Sequence, residues 1–280
     1  MRIKKAVITA AGFGTRVLPF SKSVPKEMLP IIIKDGKKYI VKPYIQFIFE
    51  NLYDNGIREF CFVLGKNKSE IVEHFTLDYP FVEYLEKKGK SNMARPLKRF
   101  YDKVRKSKIS WILNPISKGF GHSVLVSESF VENDNFVLCA SDVWVTSETF
   151  LKEAIDIFFK EKSDATLILR KMDNWWNYGI AKIDGTNVTF VKEKPKKFIS
   201  DLCIVPIYIF SCKIFDALRK VEIELKDGEE FELTNAIEKL VETGNVSCLV
   251  LKNNERWLDT GLPEKYKEVL DIAWEEYPWR

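Results

Sequence analysis

The sequence is poor in the residues that build disulfide frameworks and histidine metal sites. Its 280 residues include five cysteines, an odd number without CxxC spacing, and two histidines, His74 and His122. Four of the cysteines lie in apolar, strand-like runs: Cys61, Cys139, Cys203 and Cys248. These features exclude a disulfide framework and a histidine-rich metal site, and they favour buried, reduced thiols in a cytosolic protein.

Long apolar runs and a secretion signal are also missing. The run at 203–210 (CIVPIYIF) is among the longest apolar runs and is far too short to cross a bilayer. The chain does not open with a charged segment followed by an apolar one. Hydrophobic residues make up 46% and charged residues 30%, which is typical of globular proteins. We therefore expect a cytoplasmic protein without a membrane partner.

Neither sign of charge is in large excess. The net charge of +4 comes from 44 basic and 40 acidic residues, too balanced to indicate nucleic-acid binding. Residues 95–108 (RPLKRFYDKVRKSK) are locally basic, with seven Lys or Arg and one Asp. Because no aromatic platform accompanies them, we interpret this stretch as a solvated helix face and expect no nucleic-acid partner. A nucleic-acid groove is the weaker alternative.

The apolar patterns alternate between strand and helix along most of the chain. Runs rich in β-branched and aromatic residues predict strands at 3–10, 59–64, 109–113, 135–140 and 165–170. Helical spacing predicts helices at 41–56, 233–244 and 263–277. Continuous apolar strands separated by helices favour a Rossmann-like α/β fold, a mainly parallel sheet flanked by helices on both faces.

The pattern changes in the second half of the chain. Residues 178–210 contain short β runs broken by Gly185 and Pro195, which predicts a β-hairpin-bearing insertion over the sheet. A helical C-terminal tail follows, and we expect its aromatic residues to pack on the core or on a partner: Trp274, Tyr277 and Trp279. Repeats and long linkers are missing, so we predict a single domain over 1–280 with lobes at 1–145 and 146–262 and a C-terminal helix at 263–280.

A glycine turn, AAGFGTR (10–16), follows the first predicted strand. Gly12 and Gly14 can adopt backbone angles closed to other residues and let main-chain N–H groups approach a phosphate. Arg16 adds a guanidinium fork suited to phosphate oxygens. The third glycine of a dinucleotide fingerprint and the Walker A pattern are both absent, so a tight turn with a surface arginine stays an alternative.

Two further charged residues favour phosphate chemistry. Lys26 stands between two prolines in SVPKEMLP (23–30), a stiff segment that could aim a second cation at the same phosphates. The alternative is an exposed lysine in a proline-rich turn. Asp142 ends the strand NFVLCASD, at the sheet edge where ligands gather, and a carboxylate there could hold Mg²⁺. The alternative for Asp142 is a turn or helix N-cap.

These motifs together resemble those of a known family. AAGFGTR followed closely by PKEMLP is similar to the signature of the sugar-1-phosphate nucleotidyltransferases. Glu27, directly after the lysine, makes the segment most similar to bacterial and archaeal UTP–glucose-1-phosphate uridylyltransferases. The resemblance continues in order along nearly the whole chain, at 42–57, 68–75, 118–122, 178–179, 191–195, 232–237 and 257–261.

The resemblance implies an activity and a set of site residues. It implies Mg²⁺-assisted attack of glucose 1-phosphate on the α-phosphorus of UTP, giving UDP-glucose and pyrophosphate, in a homo-oligomer (dimer or tetramer). It assigns lobe 1–145 to the nucleotide and lobe 146–262 to the sugar phosphate. The implied catalytic residues are Arg16, Lys26, Asp142 and Lys194, and the implied metal ligands are Asp142 and Asp259. Implied nucleotide contacts are Ala10, Ala11, Gly12, Gly14, Thr15, Arg16, Lys26, Asn114 and Gly119. Implied sugar-phosphate contacts are Gly179, Glu193 and Lys194.

Departures from the family pattern leave the specificity open. Asn114 is the nearest amide to the place where relatives usually carry a base-reading glutamine. Because its side chain is shorter, the sequence leaves open whether the base is uracil or thymine. Pro206, in CIVPIY, removes a backbone donor that could otherwise meet the sugar. Ser141 precedes Asp142 where a proline is common, a change we expect to be tolerated. Gly119 and Gly121 are expected to let the main chain approach the base, and His122 to serve structure.

Two alternative functions remain at this point. One is a thymidylyltransferase or another hexose-1-phosphate nucleotidyltransferase. The other is a non-catalytic regulatory subunit that binds sugar nucleotides, although the retained cations and paired carboxylates weigh against it.

Overall fold

The computed structural model of the chain describes residues 3–116 and 118–275. Its strands are β1 (Lys5–Ala10), β2 (Pro30–Asp35), β3 (Lys38–Pro43), β4 (Glu59–Leu64), β5 (Lys108–Leu113), β6 (Phe136–Ala140), β7 (Val143–Val145), β8 (Ala165–Lys171), β9 (Gly179–Asp184), β10 (Asn187–Glu193), β11 (Leu202–Phe210), β12 (Val246–Val250) and β13 (Trp257–Asp259). Its α-helices are α1 (Tyr44–Asp54), α2 (Ser69–His74), α3 (Tyr79–Lys87), α4 (Ser91–Arg105), α5 (Phe120–Leu125), α6 (Glu128–Val131), α7 (Phe150–Lys160), α8 (Lys213–Glu224), α9 (Leu233–Thr243) and α10 (Pro263–Glu275).

The main sheet is mixed. Within the described ranges, nine strands pair in the order β5-β4-β1-β6-β11-β8-β12-β10-β9. The strands β5, β4, β1 and β6 are mutually parallel, as the alternating pattern predicts. The strand β11 runs antiparallel to both β6 and β8, and β10 runs antiparallel to β12 and β9. The prediction of a mainly parallel sheet is therefore wrong for the second half.

The reason lies in the connection from β8 to β11. Residues 172–201 are all described and contain the hairpin β9–β10 but no crossover α-helix. A parallel neighbour needs a crossover that carries the chain back to the starting edge of the sheet. Here the chain re-enters at the edge where β8 ends, so β11 has to run the opposite way.

The predicted hairpin is present but lies elsewhere than expected. The strands β9 and β10 pair antiparallel around Gly185, whose φ of +58° suits a tight hairpin turn. The hairpin is part of the sheet, because β10 pairs with β12 and β9 also pairs with β11 at Ile180 and Cys203. The prediction of an insertion over the sheet is therefore wrong, since both strands of the hairpin pair with strands of the sheet.

Helices cover both faces of the sheet, as predicted. Along β4 the buried side chains alternate, with Phe60 and Phe62 in one hydrophobic cluster and Cys61 and Val63 in the other. The helices α1 and α4 pack on the first face, and α5, α8 and α9 pack on the second. All five cysteines are free, and the four in apolar runs are buried. Among the helices in these ranges, none combines the length and apolar character needed to span a bilayer.

The start of α1 differs from the sequence prediction. The helix begins at Tyr44 instead of 41, because residues 38–43 form β3 of a hairpin with β2. The helix α10 is described from Pro263 to Glu275, and the predicted extension to 277, with Tyr277 and Trp279, lies outside the described residues. Trp274 stacks on Tyr39 of β3 at 4.0 Å between ring centroids, which agrees with the expected packing of the tail.

The basic stretch 95–108 is largely neutralised by acidic side chains. It forms most of α4, and Arg99 pairs with Asp35 of β2 while Lys103 pairs with Asp54 of α1. Lys98 and Arg105 also have carboxylate partners. The exposed side of α4 is thus a mixed-charge surface, which supports the interpretation as a solvated helix face.

His74, at the end of α2, is a packed residue. Its ring stacks on Phe100 at 5.0 Å, and its Nε2 lies 2.9 Å from Oε1 of Gln46. Burial lowers the pKa of His74 from 6.5 to about 4. The native protein therefore keeps this ring neutral where an unfolded chain takes up a proton.

We predict an acid-sensitive contribution of His74 to stability. The unfolded chain binds the proton near pH 6.5 and the native chain only near pH 4, so the contribution is complete above pH 6.5 and is lost as the pH falls to 4. The full loss is up to about 3 kcal/mol at 1.36 kcal/mol per pKa unit. Thermal unfolding between pH 4 and 7 should give a flatter pH dependence for His74→Phe than for wild type. Equal slopes in the two proteins would contradict the assignment.

Candidate active site

The loops that carry the predicted site residues meet at one edge of the sheet. The glycine turn follows β1, Asn114 follows β5, and Asp142 lies two residues beyond β6. Backbone hydrogen bonds continue between neighbouring strands at these ends. Ser141 N donates to Thr9 O at 3.2 Å, which joins β6 to β1, and Asn114 N donates to Leu64 O at 2.7 Å, which joins β5 to β4. This is the carboxyl edge of the parallel strands, where ligands bind in open α/β sheets.

The glycine turn owes its shape to Gly14. This residue has a φ of +67°, and its carbonyl accepts a hydrogen bond of 2.7 Å from Ser21 Oγ. Gly12 lacks a positive φ, so the expectation that its backbone angle requires glycine is wrong. A Cβ built on Gly12 would meet no atom of the described chain within 4 Å, so the main chain here is open to approach. The turn leads into a 3₁₀ turn, Thr15–Val17, and not into an α-helix.

The remaining predicted nucleotide contacts on this turn divide by exposure. Ala10 and Ala11 are buried, so only their main-chain atoms could meet a ligand. Thr15 and Arg16 are exposed. The side chains at the end of β1 thus belong to the core, and those of the following turn face the sheet edge.

Lys26 is held in place instead of being free in solvent. It begins the 3₁₀ turn Lys26–Met28, its side chain is 16% exposed, and its Nζ forms an ion pair with Oδ2 of Asp142. The alternative of an exposed lysine in a proline-rich turn does not apply.

A short antiparallel ladder places Asp142 beside Asp259. Strand β7 pairs with β13 so that Val143 faces Asp259, and Thr260 N donates to Asp142 O at 3.0 Å. A Cβ built on Gly261 would lie 2.8 Å from Oδ1 of Asp259 and 3.8 Å from Oδ2 of Asp142. Both carboxylates therefore border the same small space, although they are far apart in sequence.

The pKa values of these groups shift in opposite directions. Burial alone would raise the pKa of Asp142, but the ammonium of Lys26 outweighs it and holds that pKa below its ordinary value. Burial and the charge of Asp142 raise the pKa of Asp259. Burial would lower the pKa of Lys26, but Asp142 and Glu27 outweigh it and the pKa is raised. The exposed Arg16 also favours the charged form of both carboxylates. The site thus combines two neighbouring carboxylates with two cationic side chains, and Asp142 is the more strongly stabilised of the two carboxylates in its charged form.

The donor set fits a magnesium ion that keeps water or substrate ligands. Two carboxylates converge, and in the described chain no group of three or more His, Cys, Asp or Glu could hold a metal alone. Mg²⁺ is usually bound by one or two carboxylates together with water and substrate phosphates. Near the two carboxylates, the described chain has two buried hydroxyl groups without a hydrogen-bond partner, those of Tyr44 and Thr260. Burial raises the pKa of the Tyr44 hydroxyl, and the nearby charges of Asp142 and Asp259 add to that rise.

A second group of predicted residues lies at the start of β9 and the end of β10. Gly179 faces Glu193 across the ladder, and Thr234 Oγ1 donates to Glu193 Oε2 at 2.6 Å. A Cβ on Gly179 would lie 2.9 Å from both of those oxygens. A larger residue at 179 would therefore have to displace the Glu193 carboxylate and the Thr234 hydroxyl from these positions.

Lys194 is strained and paired. Its φ is +37°, its backbone N donates to Tyr178 O at 3.1 Å, and its Nζ lies 2.9 Å from Oε1 of Glu232. Burial raises the pKa of Glu232, and the charge of Glu193 adds to that rise. Lys194 is thus held between two carboxylates.

The predicted base-side residues surround Phe231. Gly119 has a φ of +131°, and a Cβ there would lie 2.6 Å from Phe231 O, while one on Gly121 would lie 2.5 Å from the Phe231 ring. Both glycines are therefore needed for packing inside the protein, whatever they offer a base. Asn114 is buried, and its Nδ2 lies 3.5 Å from Ser123 Oγ. Ser117, which directly precedes the 118–122 motif, lies outside the described ranges.

Two contacts connect these groups into one region. The rings of Tyr178 and Trp257 lie 4.8 Å apart, which joins the sugar-side strands to the strand that ends in Asp259. Phe231 exchanges main-chain hydrogen bonds with Lys118 and Gly121 and directly precedes Glu232. The predicted phosphate, metal, base and sugar contacts therefore share one edge of the molecule.

Comparison with known proteins gives the family. Residues 5–273 match the family model described as nucleotidyl transferase. The chain belongs to the nucleotidyl transferase family. UTP–glucose-1-phosphate uridylyltransferase 2 of Streptococcus pyogenes serotype M3 is 34% identical over 260 residues, which cover 88% of this chain and 82% of that protein. UTP–glucose-1-phosphate uridylyltransferase YngB of Bacillus subtilis is 29% identical over 262 residues, 90% of this chain and 84% of that protein.

A solved structure agrees with the same assignment. The UTP-bound UGPase from Acinetobacter baumannii matches with a TM-score of 0.84 and 25% identity, over 99% of this chain and 95% of that chain. The mixed sheet described above is thus shared by this nucleotidyl transferase and that enzyme.

Sequence reasoning gave no role to several residues of this nucleotidyl transferase site. Glu232 and Thr234 lie in the segment 232–237, which carried part of the family resemblance without an assigned function. The pairing of Glu232 with Lys194 is visible only in three dimensions. Tyr44 and Thr260 offer no local pattern that would single out their hydroxyl groups. Pro206 lies where the β11 register shifts, so its missing N–H falls at an irregularity of the ladder.

A large cleft of the described chain contains none of the predicted site residues. It has a volume of about 1440 Å³ and is lined by residues of β2, β3, α1 and α4. Three of the lysine and arginine residues that line it pair with carboxylates: Lys42 with Glu50, Arg99 with Asp35 and Lys103 with Asp54. We keep the phosphate site at the carboxyl edge because the predicted site residues meet there and not in this cleft.

We predict that two glycine substitutions in the site loops differ in their effect on stability. Gly121→Ala forces a methyl group into the Phe231 ring, and overpacking of this kind costs about 1–3 kcal/mol. Gly12→Ala, with open space and no positive φ, should leave the free energy of unfolding unchanged. Thermal unfolding of both variants tests this difference. Equal Tm values for the two variants would refute the packing role of Gly121.

Proposed function

We propose that this chain forms UDP-glucose and pyrophosphate from UTP and glucose 1-phosphate. The observation that carries the proposal is the partly buried set of Lys26, Asp142 and Asp259 at the carboxyl edge of the sheet. Uridylyltransferase relatives align over nearly the whole chain, which supports the same substrates. Within the proposal, residues 1–145 form the nucleotide-binding lobe, 146–262 the sugar-phosphate-binding lobe and 263–280 the C-terminal helix.

The reaction asks the protein to align two polyanions that repel each other. An oxygen of the sugar phosphate forms a bond to the α-phosphorus, and the bond from that phosphorus to the bridging β-oxygen breaks. Pyrophosphate leaves with the electron pair. The attacking phosphate oxygen is already ionised, so the protein needs no general base and contributes mainly position and electrostatics.

The chain's own residues can supply both. Lys26 stays protonated at neutral pH because its pKa is raised, and together with Arg16 it would meet the triphosphate. Lys194 would bind the sugar phosphate, and Glu193 would accept hydrogen bonds from sugar hydroxyls. Asp142 and Asp259 would hold Mg²⁺, which when bound neutralises charge on the phosphates.

One observation favours keeping a second candidate. Asn114 is recessed and directed to Ser123, so a thymidylyltransferase with the same catalytic residues fits the site as well. A non-catalytic sugar-nucleotide-binding subunit fits less well, because binding alone does not require two buried carboxylates side by side. A homo-oligomeric state and a cytoplasmic location belong to the proposal, and the free cysteines agree with a reducing compartment.

We predict selectivity for one substrate pair. Pyrophosphate release with Mg²⁺ should be measured for UTP and dTTP, each with glucose 1-phosphate, galactose 1-phosphate and mannose 1-phosphate. The highest kcat/KM is expected for UTP with glucose 1-phosphate. A preference for dTTP would favour the thymidylyltransferase. Nucleotide-sugar binding without turnover of any pair would favour the regulatory subunit.

We predict a large loss of turnover for Asp142→Asn. The substitution keeps the side-chain shape but removes the charge that pairs with Lys26 and faces the space shared with Asp259. Loss of one preorganised electrostatic contact costs about 10²–10³-fold in kcat. Asp216→Asn, in an exposed carboxylate of α8, is the matched control and should keep full activity. Wild-type activity of a folded Asp142→Asn variant with Mg²⁺ would remove the metal assignment.

A further inference from the structure

Two charged residues buried behind the proposed site have no part in the mechanism above. The side chain of Glu27 is 0% exposed and that of Lys68 is 7% exposed. Their charged groups, Glu27 Oε2 and Lys68 Nζ, lie 2.5 Å apart. Both residues belong to segments that carried the family resemblance without a role, 25–30 and 68–75.

The pair connects two loops of the carboxyl edge. Glu27 directly follows Lys26 in the 3₁₀ turn, but its carboxylate points inward while Lys26 meets Asp142. Lys68 precedes the first residue of α2, in the loop after β4. The ion pair therefore fixes the turn that carries Lys26 against the loop that follows β4.

The same carboxylate also reaches the loop of Asp142. Ser141 Oγ donates to Glu27 Oε1 at 3.4 Å, and Ser141 is itself buried and joined to Thr9 through its backbone N. The Ser141 hydroxyl thus gives the Glu27 carboxylate a donor from the loop of Asp142. Glu27 is thus connected to Lys26 through the chain and to Asp142 through Ser141.

Stability alone does not explain a buried ion pair at this place. Well-packed apolar residues of similar volume are often as stable as a buried ion pair, whereas removing one partner leaves an uncompensated charge. Here the charges alternate from Lys68 through Glu27 and Lys26 to Asp142, and Glu27 contributes to the raised pKa of Lys26. Without Lys68, the Glu27 carboxylate would compete with Asp142 for the ammonium of Lys26.

We propose that Glu27, fixed by Lys68 and Ser141, is a positioning residue that sets the geometry of Lys26 and Asp142. The inference rests on the proposed nucleotidyl transfer and adds to it a part of the protein that touches no substrate.

The test compares Glu27→Gln, Lys68→Met and the double variant with wild type. Loss of a residue that orients a site residue typically costs about 10–100-fold in activity or metal affinity. We expect each single variant to lower kcat at least about tenfold and to weaken calorimetric binding of Mg²⁺–UTP measured without sugar phosphate. The KM for glucose 1-phosphate should not change. The double variant should lose much less than the product of the two single losses, because it leaves no unpaired buried charge.

A matched control separates position from stability. Lys42 and Glu50 form another poorly exposed ion pair and neither is a predicted site residue, so Lys42→Met should lower Tm but leave kcat and Mg²⁺–UTP binding unchanged. Ser141→Ala provides a milder variant if Lys68→Met does not fold, and we expect a smaller loss of kcat from it.

The outcomes distinguish this inference from the proposed function. An inactive wild type would refute the proposed function. An active wild type with unchanged kcat and unchanged Mg²⁺–UTP binding in Glu27→Gln and Ser141→Ala would refute the positioning role alone. A fall in Tm without a change in kcat, as expected for Lys42→Met, would also refute it.

Discussion

The site depends on two carboxylates of like charge that the backbone holds together. Asp142 and Asp259 border one small space because β7 and β13 pair antiparallel. The free energy of folding therefore compensates for the repulsion between the two carboxylates. Lys26 pairs with Asp142 and Arg16 favours the charged form of both carboxylates, yet burial and the charge of Asp142 still raise the pKa of Asp259. Two neighbouring carboxylates of like charge favour a cation between them, and this preference gives the arrangement its chemistry.

The sheet determines how the other groups reach this point. Parallel strands β1, β4, β5 and β6 deliver four loops to one edge, which suits a triphosphate that needs main-chain donors and several cations. The antiparallel β11 then allows the hairpin β9–β10 to bring Glu193 and Lys194 toward the same edge. A fully parallel sheet would have required crossover helices in this part of the chain. The mixed topology therefore contributes to function by placing the sugar-side lysine within reach of the phosphate loops.

Local pattern predicted the elements well, and distant pairing poorly. The strand at 59–64 appears with the predicted bounds, because a continuous apolar run buried on both faces has few other solutions. The direction of β11 depends on the length and content of residues 172–201, which no pattern within the strand encodes. Asp142 and Asp259 could be paired only through the family resemblance, since neither segment indicates its partner. Gly119 and Gly121 were noticed for their flexibility, but the reason for them is the ring and main chain of Phe231, a contact distant in sequence.

Both lysines assigned to substrate phosphates are paired with carboxylates in the structure. Lys26 contacts Asp142, and Lys194 contacts Glu232, so each is held in one geometry by the protein itself. A phosphate that binds must therefore replace a carboxylate as the partner of a lysine instead of meeting a free ammonium. The exchange costs little orientation, because the lysine is already held at the site. In the proposed reaction, only a strongly anionic group would compete with a carboxylate for either ammonium. The ion pair of Lys26, which is largely shielded from solvent, and that of Lys194, which is half exposed, would therefore both favour polyanionic ligands.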